Sequence, residues 1–445
     1  MLRSGPRGST AAAGAIVAAL CVAIMGSALL SSCGAYATSP ALIWTFNNTT
    51  DPTNAGAGFI GSAACGACHP DKPPIVINHG HSQALKAIQD GPPQYPAEGT
   101  RAGVPNPPGG LPWSAISYVI AGYIHGANFL GTDGFVMTDG VEGFNTQWDL
   151  LFPPNGTTPS FAAFMPAQVT PLPYQFDTCF KCHTTNPQPQ DPANPLFQEN
   201  RPGILGTWSE PAVHCEACHG PGSNHAPDPQ ARLMFVDSTN STCARCHLQG
   251  NDPNVIVVQD GFINPNTQYA ELLASGGMSD FNCTVCHDPH FSTLYDPANG
   301  IRNDCQACHP DQNLAFHEGI TFVRGDYTEQ LACVSCHMPF AGRSASNAGL
   351  AVVGTLGGRM GDVHTHIFRI DTVNATFTQM FNAAGTEVVK DSEGEAAVTP
   401  DFVCLRCHNG IGNAFIISAS GAAELGATLH TNDALAQSTS TTTTP

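Results

Sequence analysis

A fold of short helices and ordered loops, mainly α and irregular with few short strands, is what this 445-residue sequence predicts, and three observations predict it. The first is a motif, Cys-x-x-Cys-His, that occurs eight times. The second is composition: 45 glycines and 36 prolines, with only 11% charged residues, leave little room for long regular elements. The third is the cysteine count, because the motifs absorb 16 of 18 and leave only Cys21 and Cys33. Both of these lie in or at the end of an N-terminal apolar stretch. No thiol remains for a disulfide, so whatever the motifs bind supplies the covalent staples.

Each motif is an attachment site for one c-type haem. Two thiols three residues apart sit one helical turn apart on one face, where both can form thioethers, and the next residue brings an imidazole round to the iron. A lone Cys-x-x-Cys could be a redox dithiol or half of a zinc site, but here all eight are followed by histidine. In chain order the motifs are Cys65, Cys68 and His69; Cys179, Cys182 and His183; Cys215, Cys218 and His219; Cys243, Cys246 and His247; Cys283, Cys286 and His287; Cys305, Cys308 and His309; Cys333, Cys336 and His337; Cys404, Cys407 and His408. Eight covalently bound c-type haems follow, and they take the place of much of the apolar core.

Taken from the N-terminus, residues 1–32 read as an export signal, with Arg3 and Arg7 ahead of an apolar run from Ala11 to Leu30. The ending Leu30-Ser31-Ser32-Cys33 resembles a bacterial lipobox, which makes Cys33 a lipidated first residue of a periplasmic or outer-surface lipoprotein. Cleavage near Ala35 to Ala37, or a retained span of about 20 apolar residues, are the alternatives. Residues 33–60 read as a flexible tether, 61–437 as the haem-binding body with a soft division near 250–280, and 438–445 as a disordered Thr-rich tail. Two long stretches carry no motif, 110 residues between Cys68 and Cys179 and 67 between Cys336 and Cys404. In the first, Trp113 to Leu130 has apolar residues at near-helical spacing and predicts a helix. In the second, Thr376 to Lys390 alternates around Ala-Gly-Thr and predicts a hairpin.

The formal net charge of −19 argues against a nucleic-acid partner. It favours basic patches on redox partner proteins or a cationic external acceptor, with a merely solvated acidic surface as the alternative. Ten histidines remain beyond the eight in the motifs, at eight loci: His79/His81, His125, His214, His225, His290, His317, His364/His366 and His430. That offers one distal ligand per iron, with His81 and His366 taken from the two doublets. Every haem is then held by two histidines and closed to substrate. Met338 follows its motif histidine too closely to reach another face and reads as packing. None of the four lysines, Lys72, Lys86, Lys181 and Lys390, looks aimed at an iron.

CEACHGPGSNH (215–225), CTVCHDPH (283–290) and CVSCHMP (333–339) resemble signatures of the multihaem cytochrome c superfamily that includes cytochrome c554, pentahaem nitrite reductase, hydroxylamine oxidoreductase and octahaem tetrathionate reductase. The likeness covers most of residues 60–410, and HGHSQALK, SAISYVIAGY and GDVHTHIFRI look more narrowly like octahaem cytochromes of respiratory bacteria. It implies short helices wrapped round a covalent haem chain, with His225, His290 and His366 as distal ligands. Two departures stand out. Where the relatives carry Trp-Lys this chain has His125-Gly126, and no tyrosine sits in the context of a haem crosslink. The resemblance therefore implies an exported carrier of electrons between respiratory partners or toward an external acceptor. Two alternatives stay open. One is a reductase or oxidoreductase of nitrite, hydroxylamine or tetrathionate with one open haem, and the other is a homo-oligomeric filament in which His430 ligates a neighbour's haem.

Overall fold

A computed structural model describes residues 48–89, 91–97, 103–150, 159–230, 234–344, 352–374 and 376–430. All eighteen histidines and the sixteen motif cysteines fall inside these ranges. The expected export signal, Cys33 and the Thr-rich tail lie outside the described residues. Among the described residues, no helix is long and apolar enough to cross a membrane.

The motifs themselves nucleate short helices, including Ser62–Cys68, Cys215–His219, Cys283–Cys286, Cys305–Cys308 and Cys333–His337. In five motifs the histidine N–H closes the turn on the first cysteine's carbonyl at 2.9 Å. Asp304 caps one of them, its carboxylate accepting the Ala307 N–H at 3.0 Å. Termination is written into the next residues. Pro70, Gly220, Pro310 and Pro339 follow four of the motifs, and proline or a left-handed glycine cannot extend the turn. The longest described helix, Ala419–Gly426, has only eight residues and starts on a Ser418 cap.

Strands are more numerous than the sequence suggested. They include β1 (Asn48–Thr49), β2 (Leu85–Ala87), β3 (Ile116–Ala121), β4 (Gly126–Gly131), β5 (Phe135–Val136), β6 (Gln147–Asp149), β7 (Ser160–Ala162), β8 (Leu172–Gln175), β9 (Thr184–Thr185), β10 (Gln188–Pro189), β11 (Ile204–Thr207), β12 (Glu210–Pro211) and β13 (Met234–Phe235). Nine of these form one sheet in the order β10-β11-β8-β5-β4-β3-β2, with β6 paired to β4 and β7 to β6. Seven of its strands, β2 to β8, fall in the first long motif-free stretch. The helix expected over Trp113 to Leu130 is instead the β3–β4 hairpin. Ile-Ser-Tyr-Val-Ile is rich in β-branched and aromatic residues, and Gly122 takes a left-handed φ of +86° at the turn. Apolar residues recur on both sides because both faces of the sheet are buried, a pattern that periodicity cannot tell from a buried helix. Leu85, Tyr118, Leu130 and Tyr174 pack in one cluster; Val119, Ala127 and Phe129 pack in another.

The chain forms two compact units, one of residues 48–60 with 219–236 and the other of 61–218 with 237–430. In the smaller unit β1 pairs in parallel with β13, and the buried Asn54 amide donates to the carbonyls of His219 and Pro221, both at 2.9 Å. Residues 48–60, expected as tether, are thus built into folded structure. In the larger unit the core falls into separate clusters drawn from 85–208 and from 256–407. A second hairpin joins Thr321–Arg324 to Tyr327–Gln330. The hairpin expected at Thr376 to Lys390 is half formed. Phe377–Met380 is a helical turn, after which Phe381 bridges antiparallel to Val388.

Candidate haem-attachment sites

The motif imidazoles are held by their Nδ1 atoms. His183 Nδ1 meets the Ala84 carbonyl at 2.8 Å, His219 that of Phe235 at 3.1 Å, His337 that of Phe368 at 2.9 Å and His408 that of Phe415 at 2.7 Å; His247 meets the Gln268 side-chain oxygen at 3.1 Å. An oxygen acceptor fixes the proton on Nδ1, which leaves the Nε2 lone pair for a metal. Burial pushes His183, His247, His287 and His408 below the usual histidine range, so these rings are neutral, as ligation requires.

Four motif histidines face a second imidazole. Ring centroids lie 6.1 Å apart for His247 and His81, 6.1 Å for His287 and His366, 6.1 Å for His408 and His317, and 5.9 Å for His337 and His430. Two imidazoles on opposite sides of one metal, each bound at about 2.0–2.1 Å, have their centroids about 6 Å apart. The side chains therefore fit an iron between them. Burial, with His287 alongside, pushes His366 down to about 3, and His81 is likewise well below its ordinary value.

The two doublets resolve differently. His79 Nδ1 accepts the His81 backbone N–H at 3.0 Å, which puts the His79 proton on Nε2 and removes the lone pair a metal needs. His81 has no such constraint. In the other doublet both residues are half-buried; the His364 ring lies tilted 3.9 Å from that of Phe340 with Nδ1 directed at the Met338 carbonyl, while His366 faces His287. His290 Nδ1 donates to Asp288 at 2.9 Å, and Arg302 holds the same carboxylate at 3.0 Å. His125 sits in the β3–β4 hairpin with Nδ1 3.7 Å from Asp362, and His214 donates its backbone N–H to Thr185 at 2.9 Å. His225 lies in the smaller unit, its N–H on the Gly222 carbonyl at 3.0 Å. His69 and His309 are exposed.

Thiols of different motifs also meet. Cys65 lies beside Cys215, Cys182 beside Cys246, Cys243 beside Cys283 and Cys305 beside Cys333, close enough for the thiols to act on each other. Cys218 is within electrostatic reach of Cys243 and Cys246, Cys286 of Cys308, and Cys404 of Cys336. Between the last two motifs Arg406 is fully buried, donating to Glu329 at 2.9 Å and to the Ser335 carbonyl at 2.9 Å. Arg406 occupies a variable position of its motif, so nothing in the sequence singled it out.

No family model matches the chain. Over 186 residues it is 24% identical to the multihaem cytochrome MtrA of Shewanella baltica, covering 38% of this chain and 48% of that protein. The chain thus spans about half the length of the curated relative it matches. Among solved structures it is similar to the octahaem sulfite reductase MccA of Wolinella succinogenes, with a TM-score of 0.51 and 16% identity over 87% of this chain and 71% of that one. The outer cell wall cytochrome OcwA matches with a TM-score of 0.46 and 16% identity, over 82% of this chain and 86% of that one.

Proposed function

On the premise that the chain is a multihaem c-type cytochrome, we propose that it is an exported electron carrier with eight covalent haems, each held between two histidines. Bound at these sites, haem iron supplies reversible one-electron chemistry. The residues of the chain attach, ligate and insulate. The motif cysteines form the thioethers and the motif histidines are the first axial ligands. Opposite them stand His81 for His247, His366 for His287, His317 for His408 and His430 for His337. The remaining distal ligands, for His69, His183, His219 and His309, come from His125, His214, His225 and His290. The observation that carries this reading is the set of four imidazole pairs at 5.9–6.1 Å, the separation one iron between two histidines demands.

Thiol neighbours support a continuous series of sites. The first motif abuts the third, and the third through the eighth follow in chain order; the second joins at the fourth. No site stands apart, which is what carriage of electrons over a distance needs. The apolar N-terminal run and the Leu-Ser-Ser-Cys33 ending support export to the periplasm or outer surface with a lipid anchor. Its net charge of −19 suits a basic redox partner or a cationic acceptor.

Electron paramagnetic resonance of the oxidised holoprotein tests the reading. Low-spin signals alone, with no carbon monoxide bound after reduction, are expected. A stoichiometric high-spin haem overturns it. A second reading has one observation in its favour: His309 is exposed and, among the described residues, faces no second imidazole. A ligand from outside then completes that site, either a small substrate such as nitrite, hydroxylamine, tetrathionate or the sulfite in the name of MccA, or a histidine of a neighbouring copy. A high-spin signal that persists in any assembly supports the enzyme, and one that vanishes on assembly supports the filament.

A further inference from the structure

One helix of six residues, Gln268–Leu273, grips histidines of two neighbouring sites. Its first turn holds His247 of the fourth motif in two places. The Tyr269 N–H donates to the His247 carbonyl at 3.0 Å, and the Gln268 side-chain oxygen lies 3.1 Å from His247 Nδ1. The Gln268 amide nitrogen is itself committed to the Pro265 carbonyl, so the oxygen faces the ring and Nδ1 is the donor. His183, His219, His337 and His408 lean on backbone carbonyls in the same way. His247 leans on a side chain.

The next turn holds His366, which faces His287 of the fifth motif. The buried Glu271 accepts the His366 N–H at 2.6 Å, along with the hydroxyls of Thr365 and Thr267. Just past the helix, the Ser275 hydroxyl donates to the His366 carbonyl. His366 Nδ1 is buried with no hydrogen-bond partner among the described residues. Its ring is therefore aimed through the backbone rather than through its own nitrogen.

We infer that Gln268 and Glu271 are positioning residues for two consecutive haems: Gln268 fixes the tautomer and the basicity of His247 at the fourth site, and Glu271, with Ser275, holds His366 opposite His287 at the fifth. An acceptor on Nδ1–H makes an imidazole the stronger donor to iron, which favours the ferric state and lowers the potential. Gln268 thus keeps the fourth haem at a lower potential than an unsupported imidazole would. The fourth motif adjoins the second at the Lys181 carbonyl, the third at the Ala217 carbonyl and the fifth at Cys283, so this potential bears on electron passage among three neighbours.

This inference rests on the electron-carrier reading and is tested apart from it. Spectropotentiometric titration and electron paramagnetic resonance are compared for holoprotein of the unaltered chain, Gln268→Met, Glu271→Met and Ser275→Ala, with haem content measured on the same samples. Gln268→Met changes no charge, so Arg245 and the other fixed charges act equally in both proteins. It should move one component to more positive potential while all eight haems stay low-spin. No shift, or a shift to more negative potential, overturns the role of Gln268. Glu271→Met should turn one low-spin signal high-spin, and Ser275→Ala, which frees only the carbonyl, should change the g-values of that same signal. Where Glu271→Met does not load eight haems, Ser275→Ala decides alone, and an unmoved spectrum overturns the grip on His366. Low-spin spectra with unmoved potentials sink this inference only, whereas a high-spin haem in the unaltered protein sinks the ligand reading whatever the variants do.

Discussion

Replacing Arg406 should destabilise the protein because the residue is the sole ion-pair partner of Glu329 among the described residues and both are largely buried. Burial would push the Glu329 carboxyl up, but Arg406 and the Tyr327 hydroxyl together hold it down, from 4.5 to about 2. A depression of that size corresponds to about 3 kcal/mol of folding free energy. Because the folded-state value is the lower one, this stabilisation is complete above about pH 4.5 and is lost as pH falls toward 2. Arg406→Met leaves a buried carboxylate with no counter-charge, a change that costs about 3–5 kcal/mol. Guanidinium unfolding of fully haem-loaded protein, followed by near-ultraviolet circular dichroism, should show that loss at pH 7 and much less of it near pH 2.5, where Glu329 is largely protonated in the unfolded chain and partly so in the folded one. The double variant Arg406→Met/Glu329→Gln should recover most of the loss, since neither charge is then stranded. A cost below about 1 kcal/mol at pH 7, the range of an exposed pair, would refute the argument.

Two further outcomes follow from the sites. His81→Ala should turn one haem high-spin and open it to carbon monoxide, while His79→Ala should leave the spectrum unchanged because its Nδ1 is spent on the His81 N–H; equal spectral effects from both would show that the cap does not choose the ligand. Intact mass of protein matured in its own host should show eight haems on a chain that begins at a lipidated Cys33. Fewer haems would assign one motif another task, and an unmodified terminus near Ala35 to Ser39 would mean simple secretion.

The attachment chemistry was legible because Cys-x-x-Cys-His is local: spacing alone puts both thiols and the imidazole on one turn. What spacing could not supply was everything decided across the chain. His81 opposite His247 and His430 opposite His337 join residues scores of positions apart. His79 and His81 are set apart by a single backbone hydrogen bond that spacing does not reveal. Glycine and proline were read as leaving little room for long regular elements, and the described helices are short, yet these residues also permitted tight hairpins, and so the Trp113 to Leu130 segment became two strands. Its alternation was masked because side chains are buried on both faces of the sheet. Arg406 was invisible for a different reason, since the two positions between the motif cysteines tolerate almost any residue in the motif rule.

The long motif-free stretches are better understood as machinery for aiming imidazoles than as filler between sites. His183 is fixed by the Ala84 carbonyl immediately before β2, and so the edge of the nine-stranded sheet sets the orientation of a histidine 99 residues away. His337 depends in the same way on Phe368, in the stretch between the last two motifs, two residues beyond the His366 that faces His287. One short segment thus sets a side chain opposite the fifth motif's histidine and a backbone carbonyl on the seventh's. A shift of that segment would disturb both sites together. Coupling of this kind explains why a chain with so little regular secondary structure needs ordered loops: each loop carbonyl that holds an Nδ1 proton selects the tautomer that leaves Nε2 for a metal.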